Sequence, residues 1–207
     1  YVGKIIPRGE FHDGQTMVNH FNFVAKRMAD NKLMVNSHES SRPTGYSRTY
    51  PNYIAAEAAR GNEFNGWSNG NPPMHETILP FTRLLGGPMD YTPGIFEVKM
   101  SFYDKSKKEQ VHTTLAKQLA LYVTMYSPLQ MAADLPENYE KYPDAFQFIK
   151  DVAVDWQDSK YLEAEPGDYL TVVRKTKRKE TWFLGAITDE NARKSEIKLD
   201  FLKKKKK

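Results

Sequence analysis

The expected fold is decided by the stretch Leu33-Met34-Val35-Asn36-Ser37-His38-Glu39. Its first four residues form a short run typical of a buried strand, and residues 15–30 before it carry apolar side chains at helical spacing. A helix followed by a strand that ends on His38 and Glu39 is the arrangement of a β/α barrel, whose reactive residues lie at the C-terminal ends of its strands. We therefore expect an α/β fold with His38 and Glu39 at the mouth of a barrel.

Four further elements are predicted downstream of this strand. Asn52 is a helix-capping residue type, and an alanine-rich run follows it, which predicts a short helix over residues 53–60 that Gly61 would end. Helices are also predicted over about 111–126 and 144–153 from apolar spacing, and a last short barrel strand over 127–134.

The periodicity changes after residue 155. Alternating apolar and polar residues over 169–174, 181–186 and 196–201 predict strands, with turn residues between them. We therefore expect the C-terminal part of a (β/α)8 barrel over residues 1–154 and the start of an antiparallel β domain over 155–202. A lysine tail over 203–207 would complete the chain.

The composition of the chain argues against several classes of protein and kinds of site. The chain has 207 residues, no cysteine, and a formal charge of +4 that includes five consecutive terminal lysines. Without that tail the charge is near neutral, so the basic balance does not indicate a nucleic-acid partner. The absence of cysteine excludes disulfides and thiolate metal sites. No apolar run approaches the ~18 residues that a membrane span requires. The opening residues, which lack an initiator methionine, predict a segment cut from a longer chain.

Three acidic residues within one short unit are candidates for catalysis. Glu39 would follow a buried strand, Glu57 would lie on the alanine-rich helix, and Glu63 would lie on the turn after it. Hydrolysis of a glycosidic bond uses one carboxylic acid to protonate the leaving oxygen and a second carboxylate to activate water or to attack the sugar. Carboxylates that converge repel one another, and bound Ca²⁺ relieves that repulsion by taking carboxylate oxygens as ligands.

Several motifs resemble the catalytic core of glycoside hydrolase family 97. They are Val35-Asn36-Ser37-His38-Glu39, Arg42-Pro43-Thr44-Gly45, Arg48-Thr49-Tyr50-Pro51-Asn52, Glu57-Ala58-Ala59-Arg60-Gly61-Asn62-Glu63-Phe64, Ile78-Leu79-Pro80-Phe81-Thr82-Arg83, Gly87-Pro88-Met89-Asp90-Tyr91-Thr92-Pro93-Gly94 and Ser127-Pro128-Leu129-Gln130-Met131-Ala132-Ala133-Asp134. The resemblance extends over nearly the whole chain to Leu202. It implies a bacterial α-glycosidase that acts on oligosaccharides and is periplasmic or secreted.

The resemblance also implies roles for individual residues. In the inverting α-glucosidase branch, Glu39 would be the general base and a Ca²⁺ ligand, Glu57 a Ca²⁺ ligand, and Glu63 the general acid and a Ca²⁺ ligand. His38 would bind the sugar. The retaining α-galactosidase branch has Gly after the His, so Glu39 favours the inverting branch.

Two alternatives remain open at this point. One is a retaining α-galactosidase of the same family, and the other is a carbohydrate-binding fragment without catalysis. Other residues of the family's site would lie upstream of Tyr1, which implies that this segment holds an incomplete site and is inactive alone.

Overall fold

A computed structural model describes residues 6–177 and 179–202; the predicted lysine tail lies outside these residues. The helices are α1 (Gln15–Asp30), α2 (Tyr46–Thr49), α3 (Met74–Ile78), α4 (Leu115–Thr124), α5 (Pro136–Glu140) and α6 (Pro143–Asp151). The strands are β1 (Val35–Ser37), β2 (Tyr53–Ala56), β3 (Trp156–Glu165), β4 (Tyr169–Thr176) and β5 (Trp182–Thr188). Short 3-10 helices cover Asn62–Gly66, Leu79–Phe81, Arg83–Gly86 and Met100–Phe102.

The first half of the chain contains parallel strands. β1 pairs with β2 in parallel, and Ala56 at the end of β2 forms a parallel bridge to Met89. The Met89 amide in turn donates to the carbonyl of Tyr126 at 3.2 Å. Helix α1 covers β1 and β2 through a core that contains Met17, Phe21, Ala25, Val35, Tyr46, Tyr53 and Ala56. Consecutive segments therefore lie side by side with the same direction.

The predicted helix over residues 53–60 is wrong, because residues 53–56 form strand β2. Its residues Tyr53, Ala55 and Ala56 are all at most 5% exposed. A parallel strand is buried on both faces and therefore lacks the alternation that marks an exposed strand. The small alanines fit between the sheet and its neighbours, so tertiary packing overrides their preference for helix.

Other predicted elements differ in their bounds. Helices α1, α4 and α6 are confirmed, α4 being shorter than predicted. The strand over 33–36 begins only at Val35, since Leu33 and Met34 are exposed. The predicted strands over 127–134 and 196–201 are wrong: both segments are irregular in the structure.

An antiparallel sheet of order β3-β4-β5 follows α6. Its first strand, β3, was not predicted, because most of its residues are polar and partly exposed. The inner face of β4 and β5 packs on α4 in a core that includes Leu121, Val123, Leu170, Val172 and Ile187. A Cβ at Gly185 would lie 2.7 Å from the Val123 Cβ, so glycine permits this close approach of strand and helix.

This core continues across the predicted boundary between residues 154 and 155. Val152 of the first segment belongs to the same cluster as Leu170 of the second. Because the two segments share a core, the division into two domains near residue 155 stays a prediction. Within the described part of the chain, no helix has the length and apolar character to cross a membrane.

Candidate functional site

The parallel strands bring three chain segments together at their C-terminal ends. The Glu57 amide donates to the Ser37 carbonyl at 2.9 Å, and the Asp90 amide donates to the Ala56 carbonyl at 3.0 Å. His38, Glu57 and Asp90 consequently leave neighbouring strand ends at the same edge. In α/β proteins, ligand-binding and catalytic side chains lie at this edge of a parallel sheet.

His38 lies between two carboxylates. Its Nε2 is 2.7 Å from the Asp90 Oδ2, and its Nδ1 is 3.8 Å from the Glu57 Oε2. Asn36 also donates to the Asp90 Oδ2, at 2.7 Å. The Asp90 side chain is 1% exposed, whereas that of His38 is 22% exposed, so Asp90 lies behind the imidazole ring.

Glu57 and Glu63 interact directly through their carboxyl groups. Burial, together with the hydrogen bond and the negative charge of Glu63, raises the pKa of Glu57 to about 7. Burial alone would also raise the pKa of Glu63, but hydrogen bonds from Glu57 and Thr92 outweigh it and place that pKa below its ordinary value. Two carboxylates in contact share one proton because both cannot be charged cheaply. In the metal-free site that proton resides on Glu57.

The position of Glu63 depends on two neighbours. The Thr92 hydroxyl donates to the Glu63 Oε2 at 2.5 Å. On the other side, a Cβ added to Gly61 would lie 2.5 Å from the same oxygen, so only glycine lets the carboxylate fold back over the chain here. Glu63 is the second residue of the 3-10 helix Asn62–Gly66. The helix begins at the buried Asn62, which donates to the Thr92 carbonyl and to Gln118.

Residues with positive φ angles, which strain the backbone, cluster around this site. Of the four non-glycine residues with positive φ in the described chain, three lie just after parallel segments: Glu39 at 50°, Ala58 at 47° and Thr92 at 57°. L-residues rarely adopt this region, and it is a particularly poor conformation for the β-branched Thr92. Such strain persists only where the surroundings enforce it, which is common at functional sites.

The structure brings together three of the four predicted site residues. One ligand atom each of His38, Glu57 and Glu63 lies within 4.8 Å of the others, and these form a group of the described residues that could hold a metal ion. The Glu39 carboxylate is not part of this group. The main-chain amide of Glu39 instead forms a hydrogen bond with the Glu57 carboxylate. The predicted base and metal-ligand roles of Glu39 stay predictions.

The chemistry of the ligand atoms in this group indicates which metal ion it could bind. The oxygens of Glu57 and Glu63 suit Ca²⁺, which takes oxygen ligands and relieves carboxylate repulsion. The imidazole nitrogen of His38 does not suit it, since nitrogen ligands favour transition metals. Once their shared proton is released, the two carboxylates are thus the ligand type that Ca²⁺ takes, whereas the His38 nitrogen is not.

Sequence reasoning assigned no role to three residues that support the site. Asp90 contacts His38, Thr92 contacts Glu63, and the Arg83 guanidinium donates to the carbonyl oxygens of Ala56 and Glu57 at the end of β2. All three lie within motifs that carry the family resemblance. Their spacing alone does not predict these contacts, because each joins residues 26–52 positions apart.

Comparisons with known proteins identify the family of the chain. The family described as glycoside hydrolase 97 matches residues 1–59, and the family described as glycosyl-hydrolase 97 C-terminal, oligomerisation, matches residues 155–207. A retaining alpha-galactosidase of Bacteroides thetaiotaomicron is 35% identical over 187 residues, which are 88% of this chain and 28% of that protein. A probable retaining alpha-galactosidase of Streptomyces bingchenggensis is 29% identical over 90% of this chain and 27% of its own length.

Solved structures give the same family. A glycoside hydrolase family 97 enzyme from Pseudoalteromonas sp. strain K8, solved as a variant with panose, superposes with a TM-score of 0.86 and 50% identity over 95% of this chain and 30% of its own. The same enzyme with acarbose has a TM-score of 0.86 and 51% identity over the same shares. This chain thus spans less than a third of these relatives. It belongs to glycoside hydrolase family 97.

Proposed function

We propose that this chain is the later part of the catalytic unit of an inverting, calcium-dependent α-glucosidase that acts on α-glucosides or starch-derived oligosaccharides. The observation that carries the proposal is the paired carboxylates of Glu57 and Glu63 beside His38, at the ends of parallel strands. Glycosidases require carboxyl groups at the reacting bond, and converging carboxylates are also the ligands that Ca²⁺ takes. The protein would be periplasmic or secreted.

The parallel segments would be part of a (β/α)8 barrel. β1, β2 and the segment at Met89 follow one another in parallel order, and α1 covers the outside of the first pair. In such a barrel the reactive residues come from the ends of several strands, which is where His38, Glu57 and Glu63 lie.

Glu63 would protonate the leaving glycosidic oxygen, and Glu39 would help to deprotonate the attacking water. In the free site the pKa of Glu63 lies below its ordinary value, so an acid role requires that substrate filling the site exclude water and raise that pKa. An inverting enzyme places its two carboxyl groups ~6.5–9.5 Å apart to admit the water. Glu39 lies outside the close group of His38, Glu57 and Glu63, which is compatible with this spacing.

Glu57 and Glu63, with Glu39 by resemblance, would hold Ca²⁺. The bound ion would supply positive charge in place of the proton that Glu57 and Glu63 share. His38 would accept a hydrogen bond from a sugar hydroxyl at its Nδ1, because its Nε2 is engaged by Asp90. These residues would then orient the sugar relative to Glu63.

A retaining α-galactosidase is the second candidate, and it is favoured by the names of the two curated relatives. The α-glucosidase proposal is supported by the more similar enzyme solved with panose, a sugar composed of α-linked glucose units. Glu39 has φ of 50°, a conformation that glycine adopts without strain, so this position can hold either residue without a change of backbone. A carbohydrate-binding segment without catalysis is the third candidate.

The test uses the complete protein that contains this chain. Aryl α-glucoside and aryl α-galactoside are supplied separately, with calcium and after chelation, and NMR identifies the first anomer released. We expect preference for the glucoside, first release of β-glucose, and loss of activity on chelation that added calcium restores. Release of α-galactose would establish the second candidate, and no hydrolysis of either substrate would favour the third.

A further inference from the structure

We propose that Asp90 is a positioning residue that fixes the tautomer and orientation of His38, so that the unprotonated His38 Nδ1 faces the carboxylate pair. The inference rests on the proposed function for its kinetic readout but not for its spectroscopic one. The contact that carries it joins the Asp90 Oδ2 to the His38 Nε2 at 2.7 Å.

Hydrogen-bond chemistry determines which ring nitrogen carries the proton. A carboxylate oxygen only accepts hydrogen bonds, so the His38 Nε2 must be the donor toward Asp90. The neutral ring then has an unprotonated Nδ1, which is the atom on the side of Glu57. Orientation of an imidazole through its second nitrogen by a carboxylate is a general device at metal and catalytic sites.

The surroundings of Asp90 suit a rigid support rather than a group that reacts. Its side chain is 1% exposed, and its amide is bound to the Ala56 carbonyl at the edge of the parallel strands. The Asp90 Oδ2 accepts from both Asn36 and His38, whereas its Oδ1 is buried and has no hydrogen-bond partner. An unsatisfied buried oxygen is costly, and functional sites are where such costs are retained.

The geometry of the segment supports the same role. Asp90 and Thr92 are two residues apart on the segment that follows the parallel bridge at Met89. Asp90 contacts His38, Thr92 contacts Glu63, and the intervening Tyr91 instead donates to the buried Glu76 at 2.9 Å. One short segment therefore supports the imidazole and the carboxylate of the site together.

The test replaces Asp90 by Asn in the complete protein. The amide can donate to the His38 Nε2, which would move the ring proton to Nδ1, the side of the carboxylate pair. Histidine labelled with ¹⁵N, assigned by its loss in His38→Gln, reports the tautomer at alkaline pH without any substrate. We expect Nε2–H in the wild type and Nδ1–H, or a mixture, in Asp90→Asn.

Kinetics provide the second readout. Loss of such a supporting carboxylate typically costs about 10–100-fold in activity or metal affinity. We expect a loss of this size in kcat/KM for Asp90→Asn, and no additional loss when the same change is made in His38→Ala, since Asp90 acts through His38. Asp134→Asn is the matched control: Asp134 accepts from the amides of Phe96 and Glu97, and its loss should lower stability without changing the His38 tautomer.

Each outcome decides the proposal. An unchanged His38 tautomer in Asp90→Asn overturns it, as does an equal loss of kcat/KM with and without His38. Should the complete protein hydrolyse no glycoside, the tautomer measurement still tests Asp90, and the failure belongs to the proposed function alone.

Discussion

The parallel-strand region, residues 6–126, and the antiparallel sheet, residues 156–188, bury different kinds of side chain. At the ends of the parallel strands the buried groups are polar, among them Asn62, Asn65, Asn71, Glu76, Asp90 and Gln118. The interior of the antiparallel sheet is mostly apolar, with Leu170, Val172, Val173 and Ile187 at most 5% exposed. Buried polar networks specify geometry, whereas buried apolar area stabilises the fold. The first region is therefore expected to govern chemistry, and the second to govern stability.

Helix α4 joins the two regions. Its Leu121 and Val123 pack against the antiparallel sheet. Its Lys117 forms a 2.7 Å ion pair with Glu76 of α3 and donates to the Thr188 carbonyl at the end of β5. Changes in α4 should therefore affect both regions, while changes on either side of it should separate chemistry from stability.

The largest expected effect is on chemistry alone. Glu63→Gln in the complete protein removes the proposed proton donor, and general acid assistance is worth about 10²–10⁴-fold. Activity on an α-glucosyl disaccharide should fall by that factor, and activity on an aryl glucoside should fall less because its leaving group departs with less help. Steady-state kinetics at saturating Ca²⁺ measure both, and the melting temperature should change little.

Two companion variants sharpen this result. Glu39→Gln should reduce activity on both substrates alike, since water must be activated whichever group leaves. Glu165→Gln changes an exposed acid on β3 and should leave activity intact. Equal losses on both substrates for Glu63→Gln would leave Glu63 as a metal ligand and remove it as the acid.

The second prediction concerns the ion pair between the regions. The side chains of Lys117 and Glu76 are 10% and 5% exposed, so Lys117→Met leaves a buried carboxylate without its partner. Removal of one member of a buried pair costs about 3–5 kcal/mol. The free energy of unfolding in urea should fall by that amount.

The matched control is Lys177→Met, which removes an ion pair with Asp155 whose two side chains are both 57% exposed. Exposed pairs contribute less than about 1 kcal/mol. If Lys117→Met lowers the free energy of unfolding by a similarly small amount, Glu76 must become protonated or hydrated in the variant. In that case α4 does not join the two regions through this ion pair.

The difference between the regions also explains what the sequence can predict. The periods of α1, α6 and β5 can be read from the sequence because each element is more buried on one face than on the other. Strand β4 is buried along most of its length, and its β-branched residues indicate a strand instead, while α4 is predicted from its apolar spacing although its last turn is buried all round. Strand β2 is buried on both faces, so its alanines predict helix and the strand is missed. The polar strand β3 is missed for the opposite reason, since it has few buried residues.

The site was predictable as a set of acids but not as a set of contacts. Glu57 and Glu63 lie six positions apart, and their approach follows from a turn that the sequence marks with Gly61. The supports Asp90 and Thr92 come from a segment about 30–50 residues further on, so only the pairing of parallel strands brings them to the site. Pairing between distant segments cannot be read from local pattern.

The third prediction tests how closely α4 and β5 must approach. A Cβ at position 185 would lie 2.7 Å from the Val123 Cβ and 3.0 Å from the Ala120 carbonyl oxygen. Overpacking of a well-packed core costs about 1–3 kcal/mol, which we expect for Gly185→Ala in urea unfolding. Gly66→Ala is the control, because a Cβ there meets nothing within 4 Å. Equal losses of stability for the two variants would show that α4 and β5 can move apart to accommodate the added methyl group.

The fourth prediction concerns pH in the metal-free protein. The pKa of Glu57 is about 7, above its ordinary value of 4.5, so the folded state binds a proton that the unfolded state releases. This contribution to stability is present below about pH 4.5 and is lost as the pH rises through about 7. The glutamine of Glu57→Gln stays neutral at every pH. The difference in melting temperature, variant minus wild type, should therefore be larger by a few degrees at pH 8 than at pH 5. A constant difference between the two proteins would contradict the shared proton.

The smallest effect should come from backbone strain beside the site. Ala58 has φ of 47°, where an L-residue is disfavoured by about 1–2 kcal/mol and glycine is not. Glycine loses more entropy on folding, by roughly 0.5–1 kcal/mol, so Ala58→Gly should be neutral or stabilise the protein by up to about 1 kcal/mol. Ala59→Gly is the control: Ala59 packs against the shared core without a positive φ, so glycine there should destabilise. Calorimetry of both variants measures the difference in sign. Destabilisation of the same size by both changes would mean that the strain at Ala58 is relaxed in solution, and that the strand ends of the parallel region are no more constrained than the antiparallel sheet.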